Sequence, residues 1–320
     1  MTESTNIAIA CQGGGSHTAF TAGVLQHLLE HWDDNHELVG ISGTSGGAFN
    51  ALATWYGLVT ADEKTAAELL ESLWDGLAAT NGTDRLLNDW LSATTRMQSS
   101  GLPVPQLSPY QLPNQELGKE RIRTVLEQHI EFDAIPDYCE ATAPELVVGS
   151  VDINDGVFRT FTNEAVTVDA VLASAAVPNL FRAVEIDGHR YWDGIFSQNP
   201  PIKDLMYQPP SRKPDELWIV QVNRQTLDGE PRTVDEIDDR RNELSGNISL
   251  NQELRFIRQV TEWVERGHLP AERFSTPAIH RLEIPKRYHC ATKIDRSPAF
   301  LDELMQLGRN RARTFLEDER

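Results

Sequence analysis

Residues 37–51, ELVGISGTSGGAFNA, restrict this chain to a narrow set of folds. Leu38, Val39 and Ile41 form the short apolar run of a buried strand, and a helix-forming segment follows. Between them Gly43-Thr44-Ser45-Gly46-Gly47 fits G-x-S-x-G, the sharp strand-to-helix turn that lifts a serine hydroxyl out of a sheet. Such a turn holds the serine backbone in a conformation costing about 1–3 kcal/mol, and glycines beside it let neighbouring backbones approach where side chains would collide. Ser45 is therefore the nucleophile candidate, with Gly43 and Gly47 forming the elbow around it. An ordinary turn shares this short pattern, so the rest of the chain has to decide.

The strand Asn6 to Cys11 runs into Gln12-Gly13-Gly14-Gly15-Ser16-His17 and then into a segment where Phe20, Val24, Leu25, Leu28 and Leu29 recur at helical spacing. A glycine loop at a helix start offers several unpaired backbone N–H groups to an anion. That anion is either a nucleotide phosphate or the oxyanion of a tetrahedral acyl intermediate. The nucleotide reading fails in detail: Thr18 stands at the third glycine position, no Lys-Ser/Thr pair follows, and the next strand ends in Ile41-Ser42 without an acid. Because that next strand delivers Ser45, amide donors and a hydroxyl are expected at one edge of a parallel sheet, where open α/β folds bind ligands.

With 320 residues, 40% hydrophobic and 24% charged, the chain can bury a large core. The length allows one large domain or two modest ones, and the expectation is a single domain over 1–320. No apolar run reaches the roughly 20 residues of a membrane span, and MTESTNIAIA lacks the basic flank and apolar stretch of a secretory signal, so a cytoplasmic location is expected. Cys11, Cys139 and Cys290 are odd in number and widely spaced, which suggests buried small apolar residues rather than disulfides or metal ligands. Net charge is −19, and only six of the 29 basic residues are lysine. That balance disfavours nucleic acid and anionic bilayers as partners, since both are polyanions.

Leu69, Leu70, Leu73, Trp74 and Leu77 mark one core-facing helix; Leu117, Ile122, Val125, Leu126 and Ile130 mark another. Asn88 to Gln115 between them reads as an irregular apolar stretch with four prolines, a packed connection or a cover over a lipid groove. Glu145 to Val151 is a strand, followed by a hairpin around Asn154-Asp155-Gly156, a helix from Asp169 to Ala176, and a second hairpin ending at Asp193. A carboxylate at a strand end, followed by Gly194, is suited to reaching into a cleft. Tyr191 and Trp192 beside it would raise its pKa toward that of a general base. The C-terminal third adds a strand over 216–222, a helix over 246–267, a strand over 278–284 and a helix over 299–316. The 246–267 helix has Leu250, Leu254, Ile257, Val260 and Val264 on one side; core packing is the expected use, with transient contact to a lipid or granule surface as the alternative.

A histidine-dependent triad is less favoured than a serine–aspartate dyad. His189, His268, His280 and His289 lie in no distinctive setting, whereas a dyad needs only hydrogen-bond reach between hydroxyl and carboxylate.

Taken in order, Gly13-Gly14-Gly15 with Ala22-Gly23-Val24-Leu25, Gly43-Thr44-Ser45-Gly46-Gly47, Ala173-Ser174 with Pro178 and Phe181, and Asp193-Gly194 with Asn199-Pro200-Pro201-Ile202 resemble the patatin-like phospholipase family. The likeness runs from about residue 6 to 204, and Arg241-Asn242-Glu243 with Ser249-Leu250 and Glu253 is similar to C-terminal regions of bacterial and archaeal members. It implies a three-layer α/β/α sandwich with a mostly parallel central sheet and a catalytic dyad of Ser45 and Asp193. It further implies an oxyanion hole from Gly13, Gly14, Gly15 and Ser16, supporting roles for His17 and Gly194, and no metal or organic cofactor. The implied activity is hydrolysis of lipid acyl esters. The alternatives are depolymerisation of an intracellular polyhydroxyalkanoate, with a lipid or polyester as substrate partner, and a non-catalytic acyl- or nucleotide-binding scaffold. The chain departs from the family pattern at His17, where Arg or Lys is usual, at Thr18, where glycine is usual, and at Ile195, where glycine or alanine is usual. If a cation at position 17 supports the oxyanion, a His17→Arg variant is expected to be at least as active as the parent.

Overall fold

The computed structural model describes residues 4–101, 104, 108–111 and 116–318. Strand β1 (Thr5–Cys11) leads through a 3-10 turn, Gly15–Thr18, into helix α1 (Ala19–Glu30); β2 (His36–Thr44) leads into α2 (Gly46–Thr60). Helices α3 (Glu63–Leu77), α4 (Gly82–Ser99), α5 (Glu116–His129) and the short α6 (Ile135–Tyr138) follow. Strands β3 (Glu145–Asp152) and β4 (Val157–Thr162), helix α7 (Val168–Ser174), and strands β5 (Val184–Ile186) and β6 (His189–Asp193) complete the first two thirds. The last third holds β7 (Glu216–Gln221), α8 (Val234–Glu265), β8 (Ala278–Glu283) and α9 (Pro298–Asp318).

One eight-stranded sheet, ordered β5-β6-β3-β2-β1-β7-β8 with β4 also paired to β3, runs through the molecule. Its centre is parallel, from β3 through β2, β1 and β7 to β8; the β4, β5 and β6 hairpins are antiparallel. Strand alternation sorts the apolar residues onto two faces. Ile7, Ile9, Cys11, Trp218 and Val220 join a large core with α1, α2, α3, α5 and α9. Ala8, Ala10, Leu217 and Ile219 point the other way, into a smaller core closed by Leu250, Leu254 and Ile257 of α8. The result is the expected three-layer α/β/α sandwich, and β7 and β8 from the C-terminal third extend the same sheet.

Four local expectations need correction. Residues 88–99 are not irregular: α4 begins at Gly82, where the Asn81 side chain accepts from the Asp84 amide at 2.8 Å. Of the rest of that stretch, residues 102–103, 105–107 and 112–115 lie outside the described residues. The C-terminal long helix starts at Val234 rather than near 246: Thr233 and Glu236 form a reciprocal capping box ahead of a mostly polar segment whose few apolar residues face solvent. Leu117 is exposed, since the first turn of α5 overhangs the core. Cys11 is buried, but Cys139 and Cys290 are only partly so, and all three thiols are free.

Helices α1 and α9 cross closely at two glycines. A Cβ at Gly23 would lie 1.9 Å from the Met305 carbonyl oxygen, and one at Gly308 would lie 2.1 Å from that of Phe20. The Gly23→Ala variant is expected to lose about 1–3 kcal/mol of stability, read as a lower urea midpoint at unchanged slope. An unchanged midpoint would show that α9 shifts freely on α1.

Candidate active site

The parallel pairing of β1 with β2 brings both of their C-terminal turns to one edge of the sheet, with Cys11 opposite Gly43. Ser45 sits on the second turn at φ 56°, ψ −127°, a left-handed conformation that a non-glycine residue adopts only under constraint. Close backbone packing supplies the constraint. A Cβ at Gly43 would meet the Gly47 oxygen at 2.2 Å, one at Gly47 the Cys11 oxygen at 2.2 Å, and one at Gly46 the Thr18 hydroxyl at 2.1 Å. Thr18, at a position where relatives carry glycine, thus fills the space against the elbow, and its hydroxyl donates to the Gly15 oxygen at 2.7 Å. The Ser45 amide donates to Ser174 Oγ at 2.9 Å, and that hydroxyl donates to the Gly149 oxygen at 2.6 Å, so α7 and β3 both hold the turn.

Asp193 reaches the same place from the antiparallel side, where β6 pairs with β3 and sets Asp193 opposite Ser150. Its carboxylate is 1% exposed, and the Ser45 side chain is among the neighbours that favour its charged form. The Ile195 amide donates to Asp193 Oδ1 at 2.9 Å, so the residue that departs from the family pattern still orients the carboxylate through its backbone. Gly194 makes the turn possible, because a Cβ there would meet the Gly149 oxygen at 2.4 Å. Burial pushes the Asp193 carboxyl up to about 7; the Ile195 amide, the Ser45 side chain and the positive charge of Lys293 oppose that rise.

The glycine loop closes the third side. The Gly13 amide is engaged by Asn199 Oδ1 at 2.7 Å. Those of Gly14, Gly15 and Ser16 meet no acceptor among the described residues. Gly15 has φ +57°, and a Cβ there would strike the Lys293 oxygen at 2.1 Å. The buried Gln12 ties the loop to its surroundings: its Oε1 accepts from the Val222 and Asn223 amides, and its Nε2 donates to the Gly246 oxygen and Asn247 Oδ1 of α8. The arrangement is thus a strained serine hydroxyl, a buried carboxylate and a row of uncommitted amides at one sheet edge.

A sequence profile described as Patatin-like phospholipase matches residues 9–206, which contain all three of these parts. The chain belongs to the patatin-like phospholipase family. Membership in this family places it among the lipid acyl hydrolases in general. Its structure is similar to that of VipD from Legionella pneumophila, at 15% identity over 95% of this chain and 67% of that one, with a TM-score of 0.41. It is also similar to the type III effector protein ExoU, at 17% identity over 97% of this chain and 53% of that one, with a TM-score of 0.36. The chain thus spans about two thirds of VipD and about half of ExoU. No curated protein gives a significant match. Among the described residues no helix is long and apolar enough to cross a membrane.

Beside the glycine loop the protein buries a neutral imidazole. His17 is 3% exposed, packed against Tyr288 and Phe300, and both burial and the nearby Lys293 hold its pKa well below the usual histidine range. Its Nε2 lies 2.7 Å from Thr292 Oγ1, and that hydroxyl donates to the His289 oxygen, so the ring donates from Nε2. The expected cationic role of His17, and with it the expected tolerance of arginine there, does not fit this setting. The positive charge nearest the loop comes from a lysine far along the chain. Lys293 passes its Cε by Gly14, donates from Nζ to Asn223 Oδ1 at 2.6 Å and Asn242 Oδ1 at 2.5 Å, and has its pKa lowered by burial to about 8. Nothing in its local sequence, Ala291-Thr292-Lys293-Ile294, signals that placement. Asn199 and Ser174 were visible in motifs but not as the groups that hold the Gly13 and Ser45 amides.

Three side-chain clusters elsewhere could offer metal ligands: His27, Glu30 and His31; Asp239, His289 and Cys290; and Asp152, Asp155 and His189. In the second, His289 Nδ1 already accepts from the Ala291 amide, and in the third His189 Nδ1 is paired with Asp152 Oδ2 at 2.7 Å. None of the three includes Ser45 or Asp193.

The raised pKa of Asp193 has a thermodynamic consequence. An unfolded aspartate releases its proton near about pH 3.9, whereas the folded protein retains this one to about 7. The stability linked to this group is therefore full at low pH and is lost as pH climbs between those values. Asp193→Asn escapes that loss, so urea unfolding should find it more stable than the parent above about pH 8, by up to about 4 kcal/mol, with the advantage vanishing near about pH 4. A pH-independent difference would exclude burial of charge as its cause.

Proposed function

We propose that this protein hydrolyses carboxylic esters of lipids with a Ser45–Asp193 dyad. The observation that carries the reading is the strained Ser45 beside the buried Asp193, whose charged form it favours, with the free amides of Gly14, Gly15 and Ser16 alongside. Asp193, ionised, accepts the hydroxyl proton as Ser45 Oγ attacks the ester carbonyl carbon. The carbonyl oxygen gains the negative charge and takes the three amides as donors, an arrangement in which preset dipoles stabilise charge as it develops. Collapse of the tetrahedral intermediate expels the alcohol, which takes the proton from Asp193, and leaves an acyl group on Ser45. Water, deprotonated by the same carboxylate, then releases the fatty acid and restores the serine.

Gly13 serves this scheme indirectly: with its amide on Asn199 it fixes the loop while its three successors face the oxyanion. Lys293 adds a positive charge behind the loop, favouring both ionised Asp193 and the oxyanion. In this reading residues 1–320 act as one hydrolytic unit in the cytoplasm, and a stored polyester is the second acyl-ester class to be assayed.

A fluorophosphonate probe should label the parent protein and fail to label Ser45→Ala, and Asp193→Asn should lose at least about 1000-fold in kcat on a soluble p-nitrophenyl ester. Labelling that survives in Ser45→Ala rules the dyad out. Comparing products from phospholipid vesicles and from polyhydroxyalkanoate granules separates the two substrate classes. Because Asp193 has to be ionised, kcat/KM should rise with pH through about 7. In Lys293→Met the midpoint of that rise should move upward, since the lysine charge holds the carboxyl down. A midpoint that stays in place, with only the amplitude reduced, would limit Lys293 to a packing role.

A further inference from the structure

Helix α4 is turned inside out. Its inward side carries Asp84, which pairs with Arg121 and Arg296, and Asn88, which donates to Asp295 Oδ1 and accepts from the Arg296 amide. Leu86, Leu87, Trp90 and Met97 face solvent instead, Leu86 at 74% and Trp90 at 63% exposure. At 3.6 residues per turn these four fall within a sector of about 100°. A surface helix ordinarily has its apolar stripe inward, and a contiguous exposed stripe marks a surface awaiting contact.

The N-terminal half of α8 carries a second exposed stripe, Val234, Ile237, Leu244 and Ile248. The two stripes adjoin: Ser100 Oγ, just past α4, donates to Asp235 Oδ2 at 3.2 Å, and Gly101 lies beside Val234. Both helices stand at the edge of the sheet that holds Ser45. Gly246 and Asn247 bind Gln12 and Asn199 at that edge, while Leu250, Leu254 and Ile257 pack on the sheet below it. The twelve or so residues of α8 before Gly246 continue the helix from that edge for roughly 18 Å of helix length at about 1.5 Å per residue, held through Asp239 to the Cys290 amide and through Arg240 to the Arg224 and Gln225 oxygens. Helix α4 arrives through the Cys290–Ile294 turn, which abuts the glycine loop. Phe196, 62% exposed and three residues beyond Asp193, lies on a turn packed against α8.

We propose that this rim, formed by α4, the start of α8 and Phe196, seats the protein on a lipid bilayer with zwitterionic headgroups. The orientation it gives, with the Ser45 edge toward the lipid, rests on the proposed hydrolase reading. Charges on the rim are of both signs: Arg85, Asp89 and Arg96 on α4, and on α8 Asp235, Glu236 and the Asp238–Arg241 pair, 3.1 Å apart. Guanidinium groups suit a headgroup phosphate and carboxylates suit a quaternary ammonium, while Trp90 and Phe196 suit the boundary between headgroup and acyl chain. The net charge of −19 repels an anionic leaflet, which selects the neutral one. A second copy of the chain on the same rim would close off the Ser45 edge to a bulky ester.

The test uses Ser45→Ala protein, which binds without turnover, sedimented with phosphatidylcholine vesicles. It is expected to cosediment with them, and to bind at least about tenfold more weakly when the vesicles are half phosphatidylglycerol. Adding Leu86→Glu with Trp90→Glu, or Ile237→Glu with Leu244→Glu, should weaken binding to phosphatidylcholine at least about tenfold. The same pairs in the Ser45 chain should keep hydrolysis of soluble p-nitrophenyl butyrate within about twofold, which shows that they fold. Protein left in the supernatant, or glutamate variants that bind like the parent, would overturn the docking. So would a dimer in sedimentation equilibrium that these substitutions dissociate, since it gives the rim to a second copy. Vesicle binding that persists while the Ser45 chain leaves the soluble ester intact would uphold the docking and fault the dyad.

Discussion

Holding one serine backbone in a left-handed conformation is the condition that the rest of this structure serves. Such a residue costs about 1–3 kcal/mol and relaxes unless its neighbours forbid it. Here the turn is closed from below by Gly43 against Gly47, from the side by Gly47 against Cys11, and from above by Thr18 against Gly46. The Ser45 amide is held through Ser174 to Gly149. Each of these supports comes from a different strand or helix, so the turn is only as firm as the packing of the whole sheet edge. The α/β architecture supplies that packing because parallel neighbours β1, β2 and β3 all end there.

The electrostatics follow from burial. Three titratable groups, Asp193, His17 and Lys293, sit where water is largely excluded, and each is displaced toward its neutral form. The displacement is most useful at Asp193, whose proton affinity moves to the neutral range in which a base both accepts and returns a proton readily. What opposes burial differs from group to group: for Lys293 it is the acidic groups of Cys290, Glu243, Asp239 and Asp193, for Asp193 it is chiefly the Ile195 amide, and for His17 nothing among the described residues opposes it, since Lys293 pushes the ring the same way.

The mostly parallel sheet, the succession of strands and helices along the chain, and the turns that carry Ser45 and Asp193 were legible because each is written locally: apolar runs for strands, glycines for tight turns, an acid at a strand end. What escaped is what depends on distant partners. Lys293 is a single lysine in an unremarked turn, and only the fold carries it to Gly14. Position 17 is equally silent, since the letter histidine does not tell whether Tyr288 and Phe300 will surround it. Helix α4 misleads for a related reason. Its leucines and tryptophan look like core residues, yet Arg121 and Arg296 draw the opposite, polar face inward through Asp84. The start of α8 is mostly charged, with only Val234, Ile237, Leu244 and Ile248 recurring on one side, and its capping box marks where the helix begins.

The family profile ends at residue 206, but the sheet does not. Strand β1 lies between β2 and β7, and β7 begins only at Glu216. A fragment cut at the end of the profile would retain Ser45, Asp193 and the glycine loop but lose Lys293, and it would strip one side of β1, leaving Ile7 to Cys11 as an open, uncharged ladder of amides and carbonyls. Bare ladders of that kind recruit other chains, so the excised piece would be prone to clump before it could work. The C-terminal third thus acts as a built-in guard strand for the part of the molecule that carries the chemistry.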